Sequence, residues 1–469
     1  MPERHLDVVE LDLLVEQIPH ALVASQRWFR SKSRPIAGLS LEDAAPLAAD
    51  AGEVDVVLLV VRVTFADEGA DELYLLPMTL VADSGGPSPA ERWGIVAVRD
   101  ATGGVLREPR NGDGAWRRLA AAAAGELVLS ALHGSFVCHR LPALEELVPS
   151  PLHAVAALDE RQLGGEQTNT SVVLGERLLL KLYRSVEPGE NPDLELPRFL
   201  SRVGFARVPA VAGHVRYVPA RGEPSAAVML QAFVPNAIDA WRWMLGELSV
   251  AASPDAGLEA VGRIGEITAQ MHDALAARPT DPAFPVAEAS AEELRDWRAA
   301  AEHQLELAFR ALPPVADLAP AVRSGFEAIE RARGTRVTRI HGDYHLGQLL
   351  RDGHDFWVID FEGEPARPLA ARRAPASPLR DVAGMLRSLD YAARTIGHRQ
   401  IAGGFDPETW LDRARDRFLR SYRSGGGVID EALLRAFELE KACYEVSYEA
   451  NFRPDWVWLP LQALERMTR

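Results

Sequence analysis

At 469 residues the chain is long enough for two or three domains and a substantial core. Its 47% apolar and 25% charged residues are ordinary for a soluble globular protein, and a net charge of −16 argues against a nucleic-acid or anionic-membrane surface. Only Cys138 and Cys443 are present, which excludes a disulfide framework and fits a reduced cytoplasm.

The opening stretch, MPERHLDVVELDLLVEQIP, carries acids and lacks the apolar centre of a signal peptide. No run approaches the roughly 18 apolar residues of a membrane span. Residues 6–24 place Val8, Leu11, Leu14, Val15, Ile18 and Leu22 at helical spacing. Gln26 to Ile36 then groups Arg27, Arg30, Lys32 and Arg34 around Trp28 and Phe29, which suits either a phosphate or a packed aromatic edge ringed by solvated cations. Strands are expected at Val54–Phe65, Glu72–Val81 and Trp93–Val98, the first two paired antiparallel, with Gly69, Gly85-Gly86 and Gly103-Gly104 as turns. A helix from about Trp116 to Leu132 follows.

Ser171–Leu174 and Arg177–Tyr183 read as two strands joined through Gly175. On the second, Leu178, Leu180 and Leu182 share one face, and Lys181 shares the other with Leu179 and Tyr183. A lysine inside a strand is either solvated or reaches nucleotide phosphates as a compact point charge. NPDLELPRFL starts a helix at Asn191 or Asp193, and its Glu195 is the candidate ion-pair partner for Lys181. Val228–Asn236 reads as a buried strand ending in a Pro-Asn turn, where Gln231 and Phe233 are candidates for contact with an adenine. Helices are expected near 240–250, 257–277, 291–311 and 318–333.

Arg339 to Asp360, RIHGDYHLGQLLRDGHDFWVID, carries the chemistry. Apolar runs flanking Asp352-Gly353-His354-Asp355 predict a hairpin. Pairing Arg351 with Phe356 sets Gln348 opposite Ile359 and brings it to the same end as Asp360. Two oxygen-bearing side chains at one point can hold Mg²⁺, and Asp343, on the loop just before, can accept the proton of an attacking hydroxyl. An acid base, an amide five residues on and an acid on the next strand match the order of the protein-kinase catalytic loop, with Gln348 in place of Asn. After a Pro/Arg-rich loop, Pro365 to Pro378, come three more helices, and the last puts Tyr444, Glu445, Tyr448 and Glu449 on adjoining turns, followed by Arg453 and Trp456. Aromatic faces, carboxylates and an arginine suit a sugar; the same tyrosines also suit a core.

Together QRWF-x-x-KSRPI, GEQTNTSVV, EPGENPDLEL, HGDYHLGQ, IDFEGEPARPL, SPLRDVAGMLRSLDYAA and YEVSYEANFRPDW resemble the bacterial maltokinases of the aminoglycoside-phosphotransferase-like kinase superfamily. The resemblance spans nearly the whole chain. It implies an α+β, bilobal, eukaryotic-protein-kinase-like fold: a cap over residues 1–108, a strand-rich N-lobe over 109–234 carrying the lysine strand, and a mostly helical C-lobe over 235–469. It implies ATP and Mg²⁺ as cofactors, and transfer of the γ-phosphate to the anomeric hydroxyl of maltose for α-glucan synthesis from trehalose; a trehalose-pathway complex component whose cap docks trehalose synthase is one alternative. Carried over, Asp343 is the base; Gln348 and Asp360 are metal ligands, joined by Glu362; Lys181 contacts phosphate; and Asp381 anchors the catalytic loop. No G-x-G-x-x-G loop is present, so backbone near Thr168, Asn169, Thr170 and Ser171 must supply further phosphate contacts. His345, Tyr444, Glu445, Tyr448, Glu449, Arg453 and Trp456 would line the acceptor site beside Asp343. Another sugar such as glucosamine or glucose, and a non-catalytic nucleotide-binding scaffold, are the alternatives.

Overall fold

The structure is a computed structural model that describes residues 8–47, 55–82, 97–99, 104–164, 168–251, 253–365, 367–398 and 406–469. Of the expected features, Val54 of the first strand, residues 93–96 of the third, the Gly85-Gly86 turn, Gly103 and Gly165–Gln167 at the start of the GEQTNTSVV motif lie outside these. The chain divides into two compact units, residues 1–195 with 210–235, and residues 196–209 with 236–469.

In the first unit, β1 (Ile36–Leu47), β2 (Asp55–Phe65), β3 (Glu72–Ala82), β4 (Ala97–Arg99) and β5 (Gly104–Arg107) form an antiparallel sheet in the order β1-β2-β3-β5-β4. Period-two alternation splits β2 between two cores. Leu59, Val61, Val63 and Phe65 pack on α1 (Val8–Glu16), while Val56, Leu58 and Val60 pack with the second sheet. The helix expected over 6–24 is two helices, α1 and α2 (His20–Ser25), because Pro19 stands at the start of the second and has no amide to continue the first. Trp28 and Phe29 are buried against Tyr74, with ring centroids 5.5 and 5.3 Å away. Arg34 pairs with Asp67 over the Phe65 ring, and Arg30 pairs with Glu187, so this basic-aromatic cluster is a packed edge.

The helix expected over 116–132 stops early: α3 (Ala115–Ala124) is capped by Gly125, and β6 (Val128–Ser130) opens the second sheet. With β7 (Ser135–Arg140), β8 (Glu160–Gln162), β9 (Thr170–Leu174), β10 (Leu178–Leu182), β11 (Val211–Val218) and β12 (Ser225–Ala232), the antiparallel order is β6-β7-β11-β12-β10-β9-β8. Leu178, Leu180 and Leu182 are fully buried, which turns Lys181 to the opposite face. The helix α4 (Pro192–Arg202) follows the lysine strand.

The second unit is helical around one core. Its helices α5 (Ala240–Ser249), α6 (Leu258–Leu275), α7 (Ala291–Ala311), α8 (Ala319–Arg331), α9 (Leu379–His398), α10 (Pro407–Ser424) and α11 (Glu431–Phe452) follow the expected segments, and α12 (Trp458–Thr468) is a further helix beyond them. A small sheet joins β13 (Ile238–Asp239) to the hairpin β14 (Leu349–Asp352) and β15 (Asp355–Val358). Arg351 lies opposite Phe356, and the Ile359 amide donates to the Gln348 carbonyl at 3.0 Å, which is the expected register. Among the described residues no helix is long and apolar enough to cross a membrane.

Close approach of α6 to α10 requires glycine, because a Cβ on Gly265 would stand 2.6 Å from the Phe418 carbonyl oxygen. Gly265→Ala should therefore destabilise the protein by about 1–3 kcal/mol through overpacking. A urea midpoint unchanged from wild type would show that the helices can separate at no cost.

Candidate active site

The catalytic loop is built outward from one buried carboxylate. Asp381 sits in the first turn of α9, fully enclosed, and accepts the His341 amide at 2.8 Å and the Gly342 amide at 2.9 Å. His272 of α6 approaches it at 3.1 Å through Nε2, and its Nδ1 lies 2.9 Å from the Tyr422 hydroxyl. Burial opposes the Asp381 charge, but these hydrogen bonds outweigh it and hold the carboxyl below its ordinary range. The expected anchoring role for Asp381 matches this geometry. Gly342 is left-handed, at φ +86°, and a Cβ there would meet the Gly363 Cα at 3.3 Å. A Cβ on Gly384 of α9 would stand 2.6 Å from the Tyr344 carbonyl, so that helix turn lies against the loop itself.

From this base the loop presents Asp343. His341 Nε2 lies 3.0 Å from the Ile359 carbonyl, tying the loop to the end of β15. Gln348, on the turn before β14, and Asp360, just after β15, come to the same end of the hairpin through the Gln348–Ile359 backbone bond. Asp360 holds φ +64°, a left-handed conformation that aspartate tolerates better than most side chains. It and the buried Glu362 bring carboxylate oxygens within 4.8 Å of each other. The two carboxylates are hard oxygen donors that fit Mg²⁺, and Gln348, at the same end of the hairpin, carries an amide oxygen of the same kind.

Two groups that the sequence reading missed bear on Asp343. Lys441 of α11 places its ammonium 3.5 Å from Asp343 Oδ1 and 2.8 Å from Glu364 Oε1. Glu364 also pairs with Arg367 at 2.7 Å. Burial works against both charges and the pairing prevails: the Lys441 ammonium is pushed up, and the Glu364 carboxyl down to about 2. Glu364 was legible only as part of the DFEGEP block. Lys441, 77 positions downstream of it, gave no sequence signal.

In the first unit, Lys181 lies opposite Ser171 of β9 and Met229 of β12. Its ammonium meets Asp193 at 2.7 Å, and the Tyr183 hydroxyl donates to the same oxygen at 3.0 Å. That contact adds Asp193, which the sequence expectation of Glu195 did not include, as an ion-pair partner of Lys181. Two positions along a helix turn the side chain by about 200°, and Asp193, its amide capped by Asn191 at 2.9 Å, occupies the turn facing the strand. Asn169 and Thr170 are turned to Arg184: the Thr170 hydroxyl accepts from the guanidinium at 2.7 and 2.9 Å, and Asn169 accepts the Arg184 amide at 3.4 Å. The Phe233 amide, expected at an adenine, donates to the Arg177 carbonyl at 2.9 Å, and Gln231 is buried in β12.

The acceptor residues divide by helix face. Tyr444, Tyr448 and the exposed Phe452 form a ring ladder along α11, with centroids 6.2 and 5.0 Å apart. Arg453 lies over Tyr448 and Trp456, at 5.5 and 6.0 Å. Glu445 joins an ion network: Arg387 donates to its Oε2 at 2.6 and 3.0 Å and also binds Asp390. Glu449 is buried too. Its Oε1 accepts from Arg453 at 2.6 Å and Tyr391 at 3.3 Å, its Oε2 has no partner, and burial pushes its carboxyl up. His345 accepts the Gly347 amide at 3.0 Å and stands 4.0 Å from Asp343.

Asp381→Ala would leave two loop amides unsatisfied and should cost about 2–5 kcal/mol. It should also lower turnover. Because the native carboxyl is held below its unfolded value, the stability it confers is present above about pH 4 and lost as pH falls through the native value. The stability difference between wild type and Asp381→Asn, measured by denaturant titration, should shrink accordingly in acid. A pH-independent difference would contradict an ionised anchor.

Residues 23–104 match the maltokinase N-terminal cap domain, and residues 159–363 match the phosphotransferase enzyme family. A glucosamine kinase of Mycolicibacterium smegmatis (strain ATCC 700084 / mc(2)155) is 30% identical over 77% of this chain and 92% of its own. One from Streptacidiphilus jiangxiensis is 29% identical over 79% of this chain and 84% of its own. A glucosamine kinase solved in complex with glucosamine, ADP and inorganic phosphate is 26% identical, with a TM-score of 0.68 over 97% of this chain and 98% of that one. The chain belongs to the phosphotransferase enzyme family, as a member carrying a maltokinase N-terminal cap domain, and is an ATP-dependent sugar kinase.

Proposed function

We propose that the acceptor is maltose and that the phosphoryl group goes to its anomeric hydroxyl, giving maltose 1-phosphate for α-glucan synthesis in the cytoplasm. The observation that supports this is the ladder on α11. Lys441 touches both Asp343 and the Tyr444 ring, and from there Tyr444, Tyr448 and Phe452 run outward at four-residue intervals. Each interval rises about 6 Å, so three rings offer stacking faces to more than one pyranose. A single hexose at Asp343 leaves the outer rings without use. The match to a maltokinase cap agrees with the same reading.

In this reading Asp343 orients the sugar O1 and takes its proton as the bond to the γ-phosphorus forms and the bond to the ADP oxygen breaks. Lys181, held by Asp193, contacts phosphate oxygens as a fixed positive charge. Gln348, Asp360 and Glu362 would hold Mg²⁺, which when bound neutralises charge on the nucleotide's phosphates. The loop carrying Asp343 moves little, because Asp381 fixes its amides. Positioning and charge stabilisation, rather than covalent chemistry, supply the rate.

Glucosamine is the second reading. The named relatives support it. A sugar screen read by ADP release, with NMR assignment of the phosphorylated carbon, separates the two. Maltose phosphorylated at C1 is expected; turnover of glucosamine with inert maltose would overturn the proposal. With the productive sugar, Asp343→Asn should lower kcat by about 10²–10⁴-fold while ATP affinity, measured by calorimetry, stays within about threefold. Tyr448→Ala should raise KM for maltose about tenfold, in line with the loss of about 1.4 kcal/mol of stacking.

A further inference from the structure

We propose that Lys441 is a positioning residue for phosphoryl transfer: its ammonium fixes the Asp343 carboxylate, and Glu364 in turn holds Lys441 while Asp343 changes charge. The proposal rests on the kinase reading and not on the identity of the sugar.

Three distances carry it. The ammonium stands 2.8 Å from Glu364 Oε1, 3.5 Å from Asp343 Oδ1, and 4.9 Å from the centre of the Tyr444 ring. The contact to Glu364 is a full charge-assisted hydrogen bond. The approach to Asp343 is longer than a hydrogen bond and well inside ion-pair range. Asp343 therefore keeps oxygens open toward an acceptor O–H while a fixed cation biases its rotamer. His345, on the other side, is 4.0 Å from Oδ2 and spends its Nδ1 on the Gly347 amide.

A simple stitch between α11 and the loop would not need this arrangement. Glu364 already has Arg367 at 2.7 Å, so its charge is met without Lys441. Yet the lysine reaches past it to the base. The reaction explains the geometry. When the acceptor oxygen bonds to the γ-phosphorus and the ADP oxygen leaves, the proton passes to Asp343 and its negative charge disappears. Without Glu364 the ammonium would then lose its counter-charge and drift; with Glu364 it stays, ready for the next ionised Asp343. Its position over Tyr444 also ties the base to the first ring of the acceptor ladder.

The test compares the full-length wild type with Lys441→Met, Lys441→Arg and Lys441→Ala, using whichever sugar the wild type turns over. Lys441→Met should lower kcat by about 10²-fold or more. KM for ATP should stay within about threefold, and so should the dissociation constant for ADP, which reports a folded protein. Lys441→Arg should recover about tenfold of the lost rate, and added methylammonium should raise kcat of Lys441→Ala but not of wild type. A kcat for Lys441→Met within about fivefold of wild type overturns the proposal. So does a loss that tracks ADP affinity and is recovered by neither arginine nor methylammonium, since that marks a structural stitch. If maltose is inert and another sugar is turned over, the acceptor assignment fails and the Lys441 outcome remains readable.

Discussion

From His341 to His345 the loop that carries Asp343 has no helix or strand to satisfy its amides, and Asp381 supplies what one would. One carboxylate takes two successive N–H groups, from His341 and Gly342, and is itself held by His272. A buried charge is expensive unless its oxygens are met, and here three donors meet them. The same residues that relieve that cost set the direction of the loop. Gly342 turns left-handed without the strain a side chain would add, and α9 can come close because Gly384 leaves the Tyr344 carbonyl room. Asp343 inherits its position from this frame.

Part of this was legible because the relevant residues are close in sequence. The hairpin register follows from the length of the turn between two apolar runs, and pairing Arg351 with Phe356 required no distant information. The face of Lys181 follows from the leucines beside it. Other parts were hidden for identifiable reasons. β1 was missed because Gly38, Asp43 and Pro46 interrupt its apolar pattern, and two register shifts break its alternation. Asp43 is tolerated there because the Ala44 and His133 amides and the Tyr217 hydroxyl, the last two from segments far along the chain, saturate it. That Asp193 meets Lys181 depends on where helix α4 begins relative to β10, which spacing alone leaves open by a residue or two.

The acceptor side shows the limit of reading residue types without their helix face. Glu445 and Glu449 share a stripe with spacing four, as do Tyr444 and Tyr448, and composition favours all four equally as sugar contacts. The fold separates them. Arg387 draws Glu445 into a network with Asp390, Arg394 and Arg466, where its charge balances cations on other helices. The tyrosines fall on the neighbouring stripe and continue to Phe452. Glu449 lies between these fates, one oxygen held by Arg453 and Tyr391 and the other buried without a hydrogen-bond partner.

Charge economy links these pieces. Asp343, Asp360, Glu362 and Glu364 crowd four acids into the loop and the segment after the hairpin, and a nucleotide triphosphate adds more negative charge. Arg367 and Lys441 are the cations the second unit sets against Glu364, and they differ in what else they reach. Arg367 is confined to its local turn, three residues from its partner. Lys441 comes from α11, so its reach to Asp343 depends on the packing of that helix in the core and not on the loop's own conformation. A cation anchored in the core keeps its place when the acid it faces is protonated and released again. One helix, α11, thus both sets the charge beside Asp343 and carries the ring ladder of Tyr444, Tyr448 and Phe452.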